Sequence, residues 1–262
     1  MTAGFSKLNC SRIPLWFGMI FILLGCGSTD TVPQEESEVD RIVNASVAFH
    51  GGDIYHNAQI SFSLRDRLYT VDRQGGLYQY TSAHSDSLGL HLRKLTNEGY
   101  SERLDARDVL LSPKDSVARA GSVNSVVYFA LLPGLLQDPS ARKTLEGTDE
   151  IGGQTYHRIR VQFVEEGGGT HYDDAYLYWI DPEDFSMDYL AYSFLVDGGG
   201  TRFRKAYNAR RINGLMFQDY ENYKGPTSPD SLEFIAQLYN QQKLSLLSNI
   251  ELRRLLVMPY EP

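Results

Sequence analysis

The chain has 262 residues, of which 12% are aromatic, and its formal net charge is −8 at pH 7. An acidic chain has no general attraction for phosphate backbones, so this charge argues against a nucleic-acid-binding protein. Cys10 and Cys26 are the two cysteines, which excludes a fold stapled by several disulfides and leaves stability to the hydrophobic core.

The N-terminal segment is typical of a bacterial lipoprotein signal. The basic residues Lys7 and Arg12 precede an apolar run, Ile13 to Gly25, and Cys26 follows it directly. The run is too short to cross a hydrocarbon core of about 30 Å as a helix. We therefore predict that residues 1–25 are a signal peptide and that Cys26 is the acylated first residue of the mature protein.

Acylation predicts where the protein is located and how it is attached. At about 0.8 kcal/mol per buried CH₂, two or three acyl chains on Cys26 hold a protein at a membrane essentially permanently. We expect a lipid-anchored protein of the cell envelope, on the outer membrane and facing the periplasm or the cell surface. Residues 26–39 are polar and acidic and predict a flexible tether. Residues 40–262 are expected to form a single domain.

The first part of this domain combines a helix with strands. The helix is predicted to begin at Asp40 and to end at Gly51-Gly52. Residues 58–64 then alternate between apolar and polar side chains, which predicts a half-buried strand. Further strands are predicted over residues 68–73, 77–80 and 88–93, with Gly75-Gly76 as a tight turn.

The middle of the chain is apolar on nearly every side. Ser122 is predicted to cap a helix that Pro133-Gly134 interrupts, and Asp138-Pro139 closes the segment. A helix that is apolar all round must be covered. Two interpretations remain open: residues 122–138 form a core helix, or they form a lid over an apolar cavity.

From residue 142 the pattern is one of successive hairpins. Their turns are Gly152-Gly153, Asp181 to Asp184, Gly198 to Gly200 and Asn213-Gly214. Consecutive hairpins build an antiparallel meander, so the predicted fold class is α+β, mainly antiparallel β. Residues 230–239 are helix-like, and residues 244–258 are ambiguous between helix and strand.

Several strings carry a family resemblance over roughly residues 40–225. They include Phe49-His50-Gly51-Gly52, residues 60–66, the segment from Gly167 to Ile180, and Asp219-Tyr220-Glu221-Asn222-Tyr223. These strings resemble a Bacteroidota lipoprotein family of unknown function. The layout is similar to the LolA, LolB and mycobacterial LppX half-barrels. That resemblance implies a curved half-barrel sheet with helices on its concave side and an apolar cavity for lipid, and it implies no enzymatic activity.

A cavity of this kind predicts a set of residues that bind a lipid or another hydrophobic small molecule. The apolar members are Phe62, Phe129, Leu132, Tyr178, Trp179 and Tyr192. Arg158 and Arg204 are candidates for holding an anionic head group by bidentate hydrogen bonds. The alternative interpretation of these arginines is solvated charge paired with acidic residues.

A weaker alternative is a metal-dependent hydrolase. His171, Asp173 and Asp174 are ligand types for zinc or manganese, with His50 and His157 as distant partners. The other interpretation of these residues is a loop that leads into a strand. His50 also ends the first predicted helix, where the helix dipole favours its charged form, although His50-Gly51-Gly52 is equally typical of a helix C-cap.

The sequence motifs predict no catalytic residue and no cofactor. The chain contains no Gly-x-Ser-x-Gly elbow, which argues against a serine hydrolase of that type. A third possibility is a non-catalytic envelope scaffold that binds another protein through a sheet edge or an exposed aromatic patch.

Overall fold

The computed structural model describes residues 36–163, 174–195 and 198–261. The predicted signal peptide and Cys26 lie outside these residues, as do His171 and Asp173. No helix among the described residues is both long enough and apolar enough to span a membrane.

Helix α1 (Glu38–His50) begins two residues before the predicted cap. The side chain of Ser37, rather than that of Asp40, caps it by accepting a hydrogen bond from the Asp40 backbone N–H. Gly51 ends the helix, and its N–H donates to the carbonyl of Val47. A 3-10 helix follows at Gly52–Tyr55. The glycine pair Gly51-Gly52 therefore acts as the C-cap of α1, which is one of the two interpretations of His50-Gly51-Gly52.

The first sheet has seven antiparallel strands. Its N-terminal strands are β1 (Ala58–Leu64), β2 (Arg67–Gln74), β3 (Leu77–Asp86), β4 (Gly89–Thr96), β5 (Gly99–Leu104) and β6 (Arg107–Asp108). Its seventh strand comes from the other end of the chain, Leu252–Pro259, which is β14 in chain order and pairs with β1. The ambiguous C-terminal segment therefore contains strand.

The second sheet also has seven antiparallel strands. They are β7 (Ala141–Ile151), β8 (Gln154–Phe163), β9 (Ala175–Ile180), β10 (Met187–Phe194), β11 (Gly200–Ile212), β12 (Leu215–Lys224) and β13 (Ser245–Ile250). They lie side by side in chain order. The predicted α+β, mainly antiparallel class is confirmed, with the strands divided between two curved, open sheets.

Helix α2 (Pro113–Ala130) begins ten residues earlier than predicted. Its N-cap is Ser112, whose side chain accepts a hydrogen bond from the Asp115 N–H, and Ser122 lies inside the helix. The helix ends before Pro133-Gly134, as predicted, and a 3-10 helix follows at Gly134–Gln137. The capping serine was misassigned because the first turns of α2 are polar.

The core has two parts. The larger cluster combines buried residues from both sheets with residues of α1, α2 and the first two 3-10 helices. The smaller cluster lies on the other face of the second sheet, under a 3-10 helix at Pro229–Phe234 and helix α3 (Ile235–Asn240). Both faces of the second sheet are therefore covered, whereas the first sheet exposes Leu68, Leu90, Leu256 and Met258.

Candidate aromatic and arginine site

The inner face of the second sheet carries a cluster of aromatic rings. Side chains alternate between the two faces of a strand, so Tyr176 and Tyr178 of β9 share one face. Tyr192 is the direct cross-strand partner of Tyr176, and the two ring centroids are 5.9 Å apart. Phe163, at the end of β8, packs edge-on against Tyr176 at 5.6 Å.

The C-terminal end of α2 completes the cluster. The hydroxyl of Tyr128 lies 2.5 Å from that of Tyr178, which joins the helix to the centre of the sheet. The ring of Phe129 lies 5.2 Å from that of Tyr192. Phe129, Phe163 and Tyr192 are half-buried, so one side of the aromatic cluster reaches solvent.

Arg204 of β11 is the cation of this site. Its guanidinium carbon lies 4.1 Å from the ring centroid of Phe129 and 5.3 Å from that of Tyr192. Its Nη2 donates to the hydroxyl of Tyr192 at 3.1 Å. The residue is only 8% exposed, and its Nε has no hydrogen-bond partner among the described residues. Stacking on aromatic faces stabilises such a cation.

Three tyrosines of the site have raised pKa values, which favours their neutral form. Burial raises the pKa of Tyr176, and the nearby carboxylate of Asp174 raises it further. Burial likewise raises the pKa values of Tyr128 and Tyr178. The arrangement is therefore a wall of uncharged rings and hydroxyl groups that holds one guanidinium group, which suits a ligand with an apolar part and an acidic part.

The structure brings four of the predicted ligand-binding residues together: Phe129, Tyr178, Tyr192 and Arg204. Phe62 and Leu132 belong to the same core cluster at other positions. Phe62 of the first sheet stacks on Tyr69 at 5.3 Å, and the Leu132 carbonyl accepts a hydrogen bond from the Tyr55 hydroxyl.

Trp179 and Arg158 lie on the opposite face of the second sheet. Trp179 is adjacent to Tyr178 in a strand, so the two side chains must point to different faces. The indole N–H of Trp179 donates to Asp149 at 2.9 Å. Arg158 contacts Glu146 at 3.0 Å and Glu233 at 2.6 Å. Charge paired with acidic residues is therefore the correct interpretation of Arg158.

Residues 122–138 contribute buried side chains to the core. Val123 and Val127 are buried in α2, and Leu131, Leu132, Leu135 and Leu136 are buried after the helix has ended at Ala130. This burial favours a core segment over a lid, but only part of the segment is helical.

Two open clefts lie on the first sheet, away from residues 122–138. The first has a volume of about 420 Å³ and is lined by residues that include Leu92 and Lys94. The second has a volume of about 510 Å³ and is lined by residues that include Leu68 and Arg67. At the aromatic site, Phe129, Phe163 and Tyr192 offer a half-buried edge to a ligand.

The predicted histidine roles have different outcomes. His50 is fully buried at the end of α1, and burial lowers its pKa to about 4. Desolvation therefore outweighs the helix dipole, and the charged form predicted for His50 is wrong. Of the hydrolase triad, the structure describes Asp174 alone, so the metal-dependent alternative stays a prediction.

Sequence reasoning missed Tyr128, Phe163 and Tyr176 as members of the site. A signal for Tyr176 was present, because it lies two residues before Tyr178 in a strand and must share its face. The contribution of α2 had no such signal, since contact between a helix and a distant strand leaves no local pattern in the sequence.

One family model, described as a family of unknown function (DUF6503), matches residues 18–252. The chain belongs to this family. No curated protein matches this chain.

Several solved structures are similar to this DUF6503 member at low identity. A LolA superfamily protein from Nitrosomonas europaea is 9% identical, with a TM-score of 0.46, over 74% of this chain and 89% of that chain. A DUF1329 family protein from Desulfovibrio piger is 12% identical, with a TM-score of 0.40, over 84% and 93%. A putative outer membrane lipoprotein-sorting protein domain from Vibrio parahaemolyticus is 8% identical, with a TM-score of 0.32, over 70% and 84%.

Proposed function

We propose that this protein binds an amphiphilic anion, such as a fatty acid or an acidic lipid, at the aromatic and arginine site. The observation that carries the proposal is Arg204, a buried guanidinium group between the rings of Phe129 and Tyr192. Burying a charge is costly unless it is paired and hydrogen-bonded. An acidic head group supplies both the opposite charge and the acceptor that Arg204 Nε lacks among the described residues.

The surrounding rings fit the rest of such a ligand. Phe129, Phe163 and Tyr192 offer half-buried aromatic faces beside the guanidinium group. An acyl chain laid across these faces buries apolar surface at about 25 cal/mol per Å². A carboxylate or phosphate then accepts charge-assisted hydrogen bonds from Arg204, which are roughly twice as strong as neutral ones.

The proposal includes attachment to the cell envelope. Removal of residues 1–25 and acylation of Cys26 would tether the domain of residues 40–262 at a membrane, where amphiphilic anions are abundant. A Bacteroidota origin and an outer-membrane location, facing the periplasm or the cell surface, are part of this proposal. The support for attachment to a membrane is the signal pattern that ends at Cys26.

The test is calorimetric titration of the purified full chain with dodecyl phosphate below its micelle concentration, with dodecanol as the uncharged comparison. We expect saturable binding of dodecyl phosphate and much weaker binding of dodecanol. Arg204→Met keeps an unbranched apolar stem and removes the guanidinium group, and we expect it to weaken dodecyl phosphate binding at least tenfold.

The control is Arg142→Met, which removes an exposed arginine from β7 and should leave binding unchanged. Equal binding of dodecanol and dodecyl phosphate, or equal binding by the Arg204→Met and Arg142→Met variants, would overturn the proposal. Circular dichroism of each variant establishes that it is folded.

A further inference from the structure

We propose a second site, for a divalent transition metal, on the β3–β4 hairpin of the first sheet. Its ligands are His84, Asp86 and His91, and one donor atom from each lies within 4.8 Å of the others. This metal site lies on the first sheet, whereas the aromatic and arginine site lies on the second sheet, and the two sites share no residue. The two proposals can therefore fail independently.

The strand register explains why the three side chains converge. His84 and His91 are direct cross-strand partners, and their rings stack with centroids 4.6 Å apart. Asp86 lies two residues after His84, so it shares the same face of the sheet. Asp86 Oδ1 accepts the N–H of Leu88 in the hairpin turn at 2.8 Å, which leaves Oδ2 directed at the histidines.

The surroundings of His91 match those of a metal-ligating histidine. Its Nε2 lies 3.1 Å from Asp86 Oδ2, and its Nδ1 lies 3.8 Å from Glu102 Oε1 on the neighbouring strand. Ligating histidines characteristically direct their second ring nitrogen at a carboxylate, which fixes the ring and raises its basicity. Glu102 is itself held by Tyr100 and Arg119, at 2.8 and 2.7 Å.

One ring nitrogen of the cluster has no partner, and a second has only the proposed carboxylate ligand. His84 Nδ1 is buried without a hydrogen-bond partner among the described residues, and His91 Nε2 has the Asp86 carboxylate at 3.1 Å in a contact without hydrogen-bond geometry. Buried polar atoms are normally satisfied, and a cation bound between these atoms would satisfy both.

The donor set selects the metal. Two imidazoles and one carboxylate suit zinc and its first-row neighbours, and three protein ligands leave a coordination position open. Asp86 is 43% exposed at its side chain, so the site can exchange with solvent. Zinc holds nitrogen ligands at about 2.0–2.1 Å, so donor atoms that are now as much as 4.8 Å apart must move closer together when the side chains rotate toward the ion.

The test uses the purified full chain, stripped with a chelator and titrated with Zn²⁺ in a calorimeter. We expect one Zn²⁺ bound per chain. Asp86→Asn keeps the oxygen that accepts the Leu88 N–H and removes the ligand charge, and His84→Gln removes a ring nitrogen that has no hydrogen bond to lose. Each variant should weaken Zn²⁺ binding at least tenfold, while His56→Gln, directly after the 3-10 helix at Gly52–Tyr55, serves as the control and should leave binding unchanged.

A second measurement keeps the proposal testable if a variant unfolds. Co²⁺ replaces zinc in such sites, and a bound four-coordinate Co²⁺ ion gives intense visible absorption, which we expect for the unmutated chain. Three results would overturn the proposal: no stoichiometric Zn²⁺ binding, binding unchanged by both variants, or binding abolished by His171→Gln and retained by His84→Gln. The last result would instead locate the metal at the segment before β9.

Discussion

The hydroxyl oxygens of Tyr128 and Tyr178 lie 2.5 Å apart and join helix α2 to the centre of the second sheet. Tyr178 is fully buried in the core. The bond fixes the end of α2 that carries Phe129, so it also positions one wall of the proposed ligand site.

Removing both hydroxyls should cost less than the sum of removing each one alone. Tyr178→Phe leaves the Tyr128 hydroxyl buried without this partner, which should lower the free energy of unfolding by about 1–3 kcal/mol. The double variant Tyr128→Phe/Tyr178→Phe should lose less than the sum of the single variants. Urea denaturation of the four chains measures the coupling, and strict additivity would contradict the contact.

The burial of His50 predicts a pH-dependent stability. Its pKa falls from 6.5 to about 4 in the folded protein, mainly through desolvation. Between these two values the unfolded chain binds a proton that the native chain does not, so stability decreases as the pH falls from 6.5 to about 4. The full effect is about 3 kcal/mol.

His50→Gln separates this contribution from those of other titrating groups. The variant keeps a side-chain donor for the Ser46 carbonyl, which His50 Nδ1 contacts at 2.8 Å. Unfolding curves of both proteins at a series of pH values give the difference. A difference that does not change between pH 7 and pH 4 would show that His50 titrates normally.

Gly134 is predicted to tolerate no side chain. A Cβ atom at this position would lie 2.2 Å from the Tyr55 ring. Gly134→Ala should therefore destabilise the protein by about 1–3 kcal/mol, as expected for overpacking. Thermal unfolding measures the loss, and Tyr55→Leu provides the comparison: in that background Gly134→Ala should cost much less. An equal cost in both backgrounds would contradict the close approach.

Asp219 joins the two sheets. Its Oδ1 accepts the backbone N–H of Leu252 in β14 at 2.9 Å, as well as a bond from Arg210 at 3.0 Å. Asp219→Ala leaves the Leu252 N–H without this acceptor and removes the acidic partner of Arg210, and it should lower the free energy of unfolding by about 2–4 kcal/mol. Asp108→Ala removes an exposed partner of Arg103 and should change it by less than about 0.5 kcal/mol. Similar losses for the two variants in chemical denaturation would refute the link.

The local elements could be predicted from the sequence. Turns such as Gly75-Gly76 and Asn213-Gly214 connect adjacent strands in the structure. The alternation over residues 58–64 corresponds to β1, and the helix-like stretch 230–239 falls within a 3-10 helix followed by α3. These signals are local, because turn geometry and periodicity depend on neighbouring residues.

Contacts between distant elements could not be predicted in the same way. Nothing in the sequence shows that the strands divide into two sheets, or that α2 delivers Phe129 to Tyr192. The prediction that Trp179 lines the same site as Tyr178 was avoidable. The two residues are adjacent in a strand, so their side chains must point to opposite faces of the sheet. The histidine pair of the β3–β4 hairpin was also accessible: His84, Asp86 and His91 flank a short turn, and strand alternation with hairpin pairing brings them together.

The pairing of β1 with β14 has a consequence for how the protein is made. Ala58 pairs with Pro259, a separation of about 200 residues, and such distant contacts form slowly because a long loop must close first. A nascent chain therefore carries an unsatisfied edge on the β1–β2 hairpin until β14 has been synthesised. Maturation of this sheet is coupled to the synthesis of β14.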